Sequence, residues 1–300
     1  MKQIKFALLV LILVNFQAIA QKRSKHLLIL GFDGFSTEAF KAVKHPNIDR
    51  MFADGTLSVT TRPVMPSVTM PNWTSHLTGS GPEEHGVTGN DWTLQKHSLS
   101  AVETDADGYY PSIFKVLKDK QPSAKTAFYY NWKELIYPIN KKYLDEVSFE
   151  DKDGYRQNYK KAVDFMDNNR NNATLVFLYD VHTDHAGHSF GWMSPEYIKA
   201  IEEADQAVGE MLDSLVKKDL YKDTHILLIT DHGGIKKGHG GVSMSEMQVP
   251  WLITGPGIKK QGITEFQNSN KNTSLVLAKI FGIKIYSESW TGTVPKGIFK

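Results

Sequence analysis

Five short apolar runs punctuate the chain: "HLLILGFD" (26–33), "KTAFYY" (125–130), "TLVFLYD" (174–180), "HILLITD" (225–231) and "VPWLITG" (249–255). Their hydrophobic residues are nearly continuous rather than alternating, the pattern of strands buried on both faces. Between them apolar residues recur with a helical period. "STEAFKAVKH" opens on a Ser/Thr pair suited to capping and is stopped by Pro46; "PNIDRMFADG" restarts with that proline and ends at Gly55. "YPSIFKVLKDKQ" and "YRQNYKKAVDFMDNN" are amphipathic, and "SPEYIKAIEEADQAVGEMLDSLVKK" keeps its apolar positions at helical spacing from Ile198 to Val216. Strands alternating with helices predict an α/β fold, a mostly parallel sheet flanked by helices. No Gly/Ser/Pro linker divides the chain, so one domain is expected over 21–300, with the aromatic-rich, less regular stretch 94–144 forming a small cap insertion.

The first residues, "MKQIKFALLVLILVNFQAIA", change the picture of where this domain works. A basic start, an apolar run from Phe6 to Val14 and the small-x-small triplet Ala18-Ile19-Ala20 have the layout of a signal peptide over 1–20. The run is too short to span a membrane and Asn15 and Gln17 interrupt it. A secreted or periplasmic product without a membrane span is the expectation. Without Lys2 and Lys5 the remaining basic residues balance the 33 acidic ones, and no basic run marks a nucleic-acid face. The chain has no cysteine, so any metal must be held by His, Asp and Glu.

The polar chemistry gathers where the apolar runs end. Strand 26–32 releases Asp33 and Gly34; strand 174–179 leads into "DVHTDHAGHSFG"; strand 225–230 ends in Asp231-His232-Gly233-Gly234, followed by His239 between Gly238 and Gly240. In an open α/β sheet the carboxyl edge is where ligands bind. Asp-Gly alone is a turn former, and His182, His185 and His188 alone read as a solvated loop. Three clusters at one edge are more specific, and three Asp with three His suit two zinc-like ions. Asp184 and His188, four apart around Gly187, can be turned toward one ion by a tight loop; Asp231 and His232 can share another. His45, His85, His97 and His225 stand outside these clusters and read as structural or surface residues. In "MPSVTMPNWTSHLTG" (65–79), Thr69 starts a helical pattern and reads either as a helix cap or as a nucleophile.

These segments together resemble the alkaline phosphatase superfamily, in particular its type I phosphodiesterase/nucleotide pyrophosphatase branch. The resemblance is carried by Gly31-Phe32-Asp33-Gly34, Thr69-Met70-Pro71-Asn72, "GPEEHGVTGN" ending at Asn90, "TDHAGH" (183–188), "TDHGG" (230–234) and His239, in the family's order. It implies an alkaline phosphatase-like fold, a two-zinc site and phosphoester chemistry. Residue by residue it implies that Asp184, His188 and His239 hold one zinc ion, that Asp33, Asp231 and His232 with Thr69 hold the other, and that Asn90 contacts a phosphoryl oxygen. Thr69 would then attack phosphorus and form a phosphothreonine intermediate, with backbone N–H groups such as that of Met70 aimed at the phosphate.

Sulfatases of similar fold place Cys or Ser followed by x-Pro-x-Arg at the nucleophile, where this chain reads Thr69-Met70-Pro71-Asn72-Trp73. The resemblance therefore implies a phosphodiesterase or nucleotide pyrophosphatase acting on a small phosphodiester or nucleotide, with a phosphomonoesterase or phosphonate hydrolase, or an inactive extracellular binding protein, as alternatives. Nucleotide-specific members carry an aromatic residue after the threonine, where this chain has Met70. Trp92 and Tyr130, with Trp73 and Trp132, are the rings available to stack on a base or to pack the core.

Overall fold

The structure is a computed structural model that describes residues 26–151, 154–285 and 287–300. The expected signal segment 1–20 lies outside the described residues. The strands are β1 (His26–Phe32), β2 (Gly55–Thr61), β3 (Lys125–Tyr130), β4 (Glu146–Phe149), β5 (Thr174–Asp180), β6 (Thr224–Ile229), β7 (Val249–Thr254) and β8 (Gly262–Ile263). The helices are α1 (Thr37–Ala42), α2 (Pro46–Phe52), α3 (Thr69–Thr78), α4 (Pro82–His85), α5 (Ile113–Lys120), α6 (Tyr155–Asn168), α7 (His182–Phe190), α8 (Pro195–Lys217), α9 (Met244–Met247) and α10 (Thr273–Phe281).

One sheet runs in the order β4-β3-β5-β1-β6-β7-β2-β8. It is mostly parallel; β7 runs antiparallel to both its neighbours, β6 and β2. β1 lies at its centre, with Leu28 opposite Val176 of β5 and Ile226 of β6. Successive residues of β1 point to opposite faces. Leu28, Leu30 and Phe32 join a core with α1, α2, α6 and α8, whereas Leu27 and Ile29 join one with α3, α5 and α10. That double coverage is why the strand sequences are continuously apolar.

The helix starts follow ordinary capping chemistry. Ser36 accepts the Ala39 N–H at the head of α1 and Ser194 that of Tyr197 at the head of α8. Proline opens α2 and α8. The expected cap stretch is only partly irregular, since α5 and β3 within it belong to the main layers. For the site, the decisive consequence is adjacency. β5, β1 and β6 are neighbours and parallel, so their carboxyl ends deliver Asp180, Asp33 and Asp231 to one edge of the sheet.

Candidate metal centre and nucleophile

Asp33 follows β1 and is fully buried. Its Oδ2 accepts hydrogen bonds from Trp73 Nε1 (3.2 Å) and the Tyr179 hydroxyl, leaving Oδ1 buried with no protein partner. Asp231 follows β6: its Oδ1 accepts the Gly34 N–H (3.1 Å). Its other oxygen, Oδ2, lies 3.0 Å from His232 Nε2. His232 Nδ1 faces the Gly233 carbonyl at 2.8 Å. A carbonyl only accepts, so Nδ1 carries a proton and Nε2 is the ring nitrogen turned to the carboxylates. That nitrogen lies 3.1 Å from Thr69 Oγ1 and 3.6 Å from Asp33 Oδ1.

The second cluster repeats the device. His239 Nδ1 is held by the Ser67 carbonyl (2.9 Å) and His188 Nδ1 by the Lys237 carbonyl (3.0 Å). Their Nε2 atoms face each other at 3.1 Å. Asp184 Oδ2 is 3.5 Å from His188 Nε2, and Asp184 Oδ1, buried with no protein hydrogen bond, is 3.8 Å from His239 Nε2. The His232 and His239 rings stack with centroids 3.7 Å apart, joining the two clusters. The Nε2 lone pairs of His188 and His239, 3.1 Å apart, repel unless a proton or a metal ion lies between them.

The charges say the same. Burial, with Asp231 and Asp184 beside it, pushes the Asp33 carboxyl well above the usual range. Burial alone would keep His232 neutral, but the carboxylates of Asp231, Asp33 and Asp184 outweigh it and push it up to about 10. Asp184 is raised to about 6 by burial. His239 is pushed down to about 4 by burial and by a charged His232. The cluster therefore demands positive charge. Asp33, Asp231 and His232 bring one donor atom each within 4.8 Å of one another, as do Asp184, His232 and His239. Buried orphan oxygens and imidazoles fixed through Nδ1 fit a metal centre and its outer shell.

The structure brings together all seven residues expected as metal ligands: Asp33, Thr69, Asp184, His188, Asp231, His232 and His239. It corrects how some of them get there. Asp184 and His188 do not sit in a tight loop. They lie one turn apart on α7, whose Gly187 packs on Trp192; a Cβ there would come within 2.9 Å of the indole. Gly233 and Gly234 allow the close approach expected of them. A Cβ on Gly233 would fall 1.9 Å from the Ser245 carbonyl oxygen and one on Gly234 2.2 Å from the Trp192 ring.

Thr69 is not a helix cap. Val68 holds the cap position without a side-chain bond, and Thr69 is the first helical residue, free to turn its hydroxyl to His232. The Met70 N–H does not point into open space either. It donates to Asn90 Oδ1 at 2.8 Å, which leaves the amide nitrogen of Asn90 as the other group of that side chain. Met70 itself is fully buried with Val87 and Trp92. Trp92 stacks on His97, and Tyr130 packs against Phe128 and Phe149. His45 does have carboxylate company: its Nδ1 lies 3.0 Å from Asp49, one turn along α2.

Several supporting residues were not legible. Tyr179 and Trp73 hold Asp33. The Trp192 indole N–H (2.9 Å) and the Tyr197 hydroxyl (2.7 Å) both donate to the Gly34 carbonyl. Buried Asn72 clamps the loop before Thr69, donating to the Pro66 and Val68 carbonyls at 3.0 Å and accepting the Val64 N–H at 2.7 Å. Asn270 ties Asn72 Oδ1 (3.0 Å) to the Asp231 carbonyl (2.8 Å). A polar residue in an otherwise apolar strand, as at Tyr179, is the one signal that could have marked the first of these.

The type I phosphodiesterase / nucleotide pyrophosphatase family model matches residues 27–245, a span that includes every residue of both clusters. The chain is 28% identical over 219 residues to ectonucleotide pyrophosphatase/phosphodiesterase family member 1 of Homo sapiens, covering 69% of this chain and 23% of that protein. It is 26% identical over 229 residues to family member 7 of Rattus norvegicus, covering 71% and 51%. The chain thus spans about a quarter to a half of the length of these curated relatives. Murine ectonucleotide pyrophosphatase/phosphodiesterase 5, in an inactive form in complex with AMP, shares the fold at TM-score 0.73 and 15% identity, over 88% of this chain and 96% of that one. Ps i-CgsB in complex with k-i-k-neocarrahexaose shares it at TM-score 0.72 and 18% identity, over 90% and 75%. The fold alone therefore does not choose a substrate.

Proposed function

The chain belongs to the type I phosphodiesterase / nucleotide pyrophosphatase family of the alkaline phosphatase superfamily, and from that premise we propose that it is an exported, two-zinc phosphodiesterase or nucleotide pyrophosphatase that works through Thr69. The observation that carries this reading is the convergence of three imidazoles, each fixed by a carbonyl on Nδ1, with three buried carboxylates around the Thr69 hydroxyl. Asp184, His188 and His239 would hold one ion, and Asp33, Asp231 and His232 with Thr69 the other. Bound there, the ions would supply a Lewis-acid clamp for an in-line displacement at phosphorus.

The protein's own groups supply the rest. Thr69 Oγ1 forms a bond to phosphorus as the bond from phosphorus to the leaving oxygen breaks, giving a phosphothreonyl enzyme that water then hydrolyses. The α3 N-terminus favours the anionic substrate. Pro71 has no N–H and the Met70 N–H is occupied, so the Asn90 amide, beside the Thr69 N–H at the helix start, is a donor suited to hold a phosphoryl oxygen. Among the described residues no arginine or lysine sits within the cluster to meet a second charge on phosphate, which favours diesters over monoesters.

The test compares a generic aryl phosphodiester with the matched aryl monoester and phosphonoacetate, before and after chelation. The diester should turn over fastest, chelation should abolish turnover and zinc should restore it. Turnover should fall in acid, because ligating histidines must be neutral. Faster turnover of the monoester would move the assignment to a phosphomonoesterase on the same site.

A further inference from the structure

Three segments around the metal centre carry an unusual surface. Ser67 ties the first loop (62–68) to the second (235–244): its hydroxyl donates to the Gly241 carbonyl (2.7 Å), and its own carbonyl holds His239 (2.9 Å). The Lys237 ammonium donates to the Ser189 carbonyl and the Trp192 N–H to the Lys236 carbonyl, both at 2.7 Å, tying the third segment (189–192), the end of α7 and the turn after it, to the second. On this joined rim Met65, Phe190, Ile235, Val242 and Met244 are 44, 56, 47, 76 and 56% exposed. They are five of the twelve large hydrophobics exposed among the described residues, and they lie on these hydrogen-bonded segments. Large apolar side chains left exposed together on tied segments mark an interaction site.

The charge on the same segments says what it meets. Arg62, Lys236 and Lys237 lie on them, and the three segments contain no Asp or Glu. A second copy of this chain docked face to face would set these cations against themselves. An anionic phospholipid surface offers both an apolar layer for the five side chains and phosphates for the three cations. We propose that this rim is a peripheral docking surface for anionic lipid bilayers, seating the open, His188 side of the metal centre against the headgroups. The proposal concerns binding alone and stands whatever the chemistry at Thr69.

The test is co-sedimentation of the full exported protein with vesicles of phosphatidylcholine alone and of phosphatidylcholine with phosphatidylglycerol, at low and high salt. The protein should sediment with the phosphatidylglycerol vesicles and be released by salt. K236Q/K237Q should weaken binding by about fivefold per lysine, and V242S/M244S by about tenfold. Thermal unfolding of each variant checks that it is folded; Val242 and Met244 are exposed, so V242S/M244S should melt like the wild type. Failure to sediment with either vesicle overturns the proposal, as does equal binding by wild type and V242S/M244S. A concentration-dependent dimer in sedimentation velocity that V242S/M244S abolishes overturns it in favour of a second copy.

Discussion

The two halves of the candidate metal centre are built differently. Asp33, Asp231 and His232 are completely buried, and two of the three follow directly from adjacent strands. Asp184 is nearly buried, but it stands on α7, and its partner His188 is 44% exposed in its side chain on the outer face of that helix. The closed half is held by buried groups from several elements: Tyr179 of β5, Trp73 of α3, the Gly34 N–H after β1 and, through the Asp231 carbonyl, Asn270. The open half is held by backbone carbonyls of the glycine-containing loop and its neighbour, those of Lys237 and Ser67. Strand ends fix geometry through a hydrogen-bonded ladder, whereas a short helix and a loop fix it through a few contacts. The closed half is thus the rigid reference, with Thr69 on its side of the cluster, and the open half is the mouth.

Breaking Thr69 should produce the largest effect. Thr69→Ala leaves the six Asp and His ligands in place and removes the attacking oxygen, so turnover should fall by several orders of magnitude while the protein stays folded and keeps its metal. Because Thr69 makes no capping bond, little stability should be lost. Thr69→Ser keeps the hydroxyl and should retain substantial turnover. An acid quench during turnover should trap phosphate on the peptide containing Thr69. Near-normal turnover by Thr69→Ala would mean that water attacks directly.

A smaller effect distinguishes the halves by their metal content. Asp231→Asn should empty the closed half and destabilise the protein, because it leaves His232 and Asp33 facing each other without the charge that organised them. His188→Asn should cost the open half its ion, leave one ion per chain and barely change the melting temperature, since His188 is exposed. Elemental analysis and melting curves of the two variants read this directly. If His188→Asn lost both ions, the halves would be one cooperative site and the contrast would be wrong.

Legibility in the sequence follows the same division. The closed half was readable because continuously apolar runs such as 26–32 and 225–230 end abruptly in Asp or Asp-His, and topology made those ends adjacent. α7 was misread as a loop because "HTDHAGHSF" has little apolar content. Its helix is held by tertiary contact, Gly187 against Trp192, which no local pattern reports. β2 was missed for a related reason. Its "GTLSVTT" is rich in hydroxyls that are buried yet satisfied, Thr56 by the Lys259 carbonyl at 2.7 Å and Thr61 by Asn268 at 3.0 Å. Thr69 could be placed at a helix start, but the residue before it took the cap position, a one-residue offset that sequence reading does not resolve.

The finest expected effect concerns Tyr179, which reads as one more core aromatic in "TLVFLYD" until its hydroxyl is found on Asp33. The ring is fully buried, and burial together with the Asp33 charge holds its hydroxyl protonated, so it is a permanent donor. With Trp73 it occupies both hydrogen-bonding directions of Oδ2 and leaves Oδ1 as the only oxygen of Asp33 turned to the cluster. Tyr179→Phe preserves the ring and its packing on Trp73 while removing that donor. Asp33 then keeps one partner and gains freedom to rotate. Loss of such an outer partner weakens metal affinity by roughly 10–100-fold. The weakening should fall on one ion of the two, because no bond from Tyr179 reaches Asp184, His188 or His239. Titration of the zinc-loaded protein with a competing chelator should show one ion released at lower chelator concentration and the other unchanged. Equal weakening of both ions would place Tyr179 in general packing, and no weakening would mean that Trp73 alone suffices to orient Asp33.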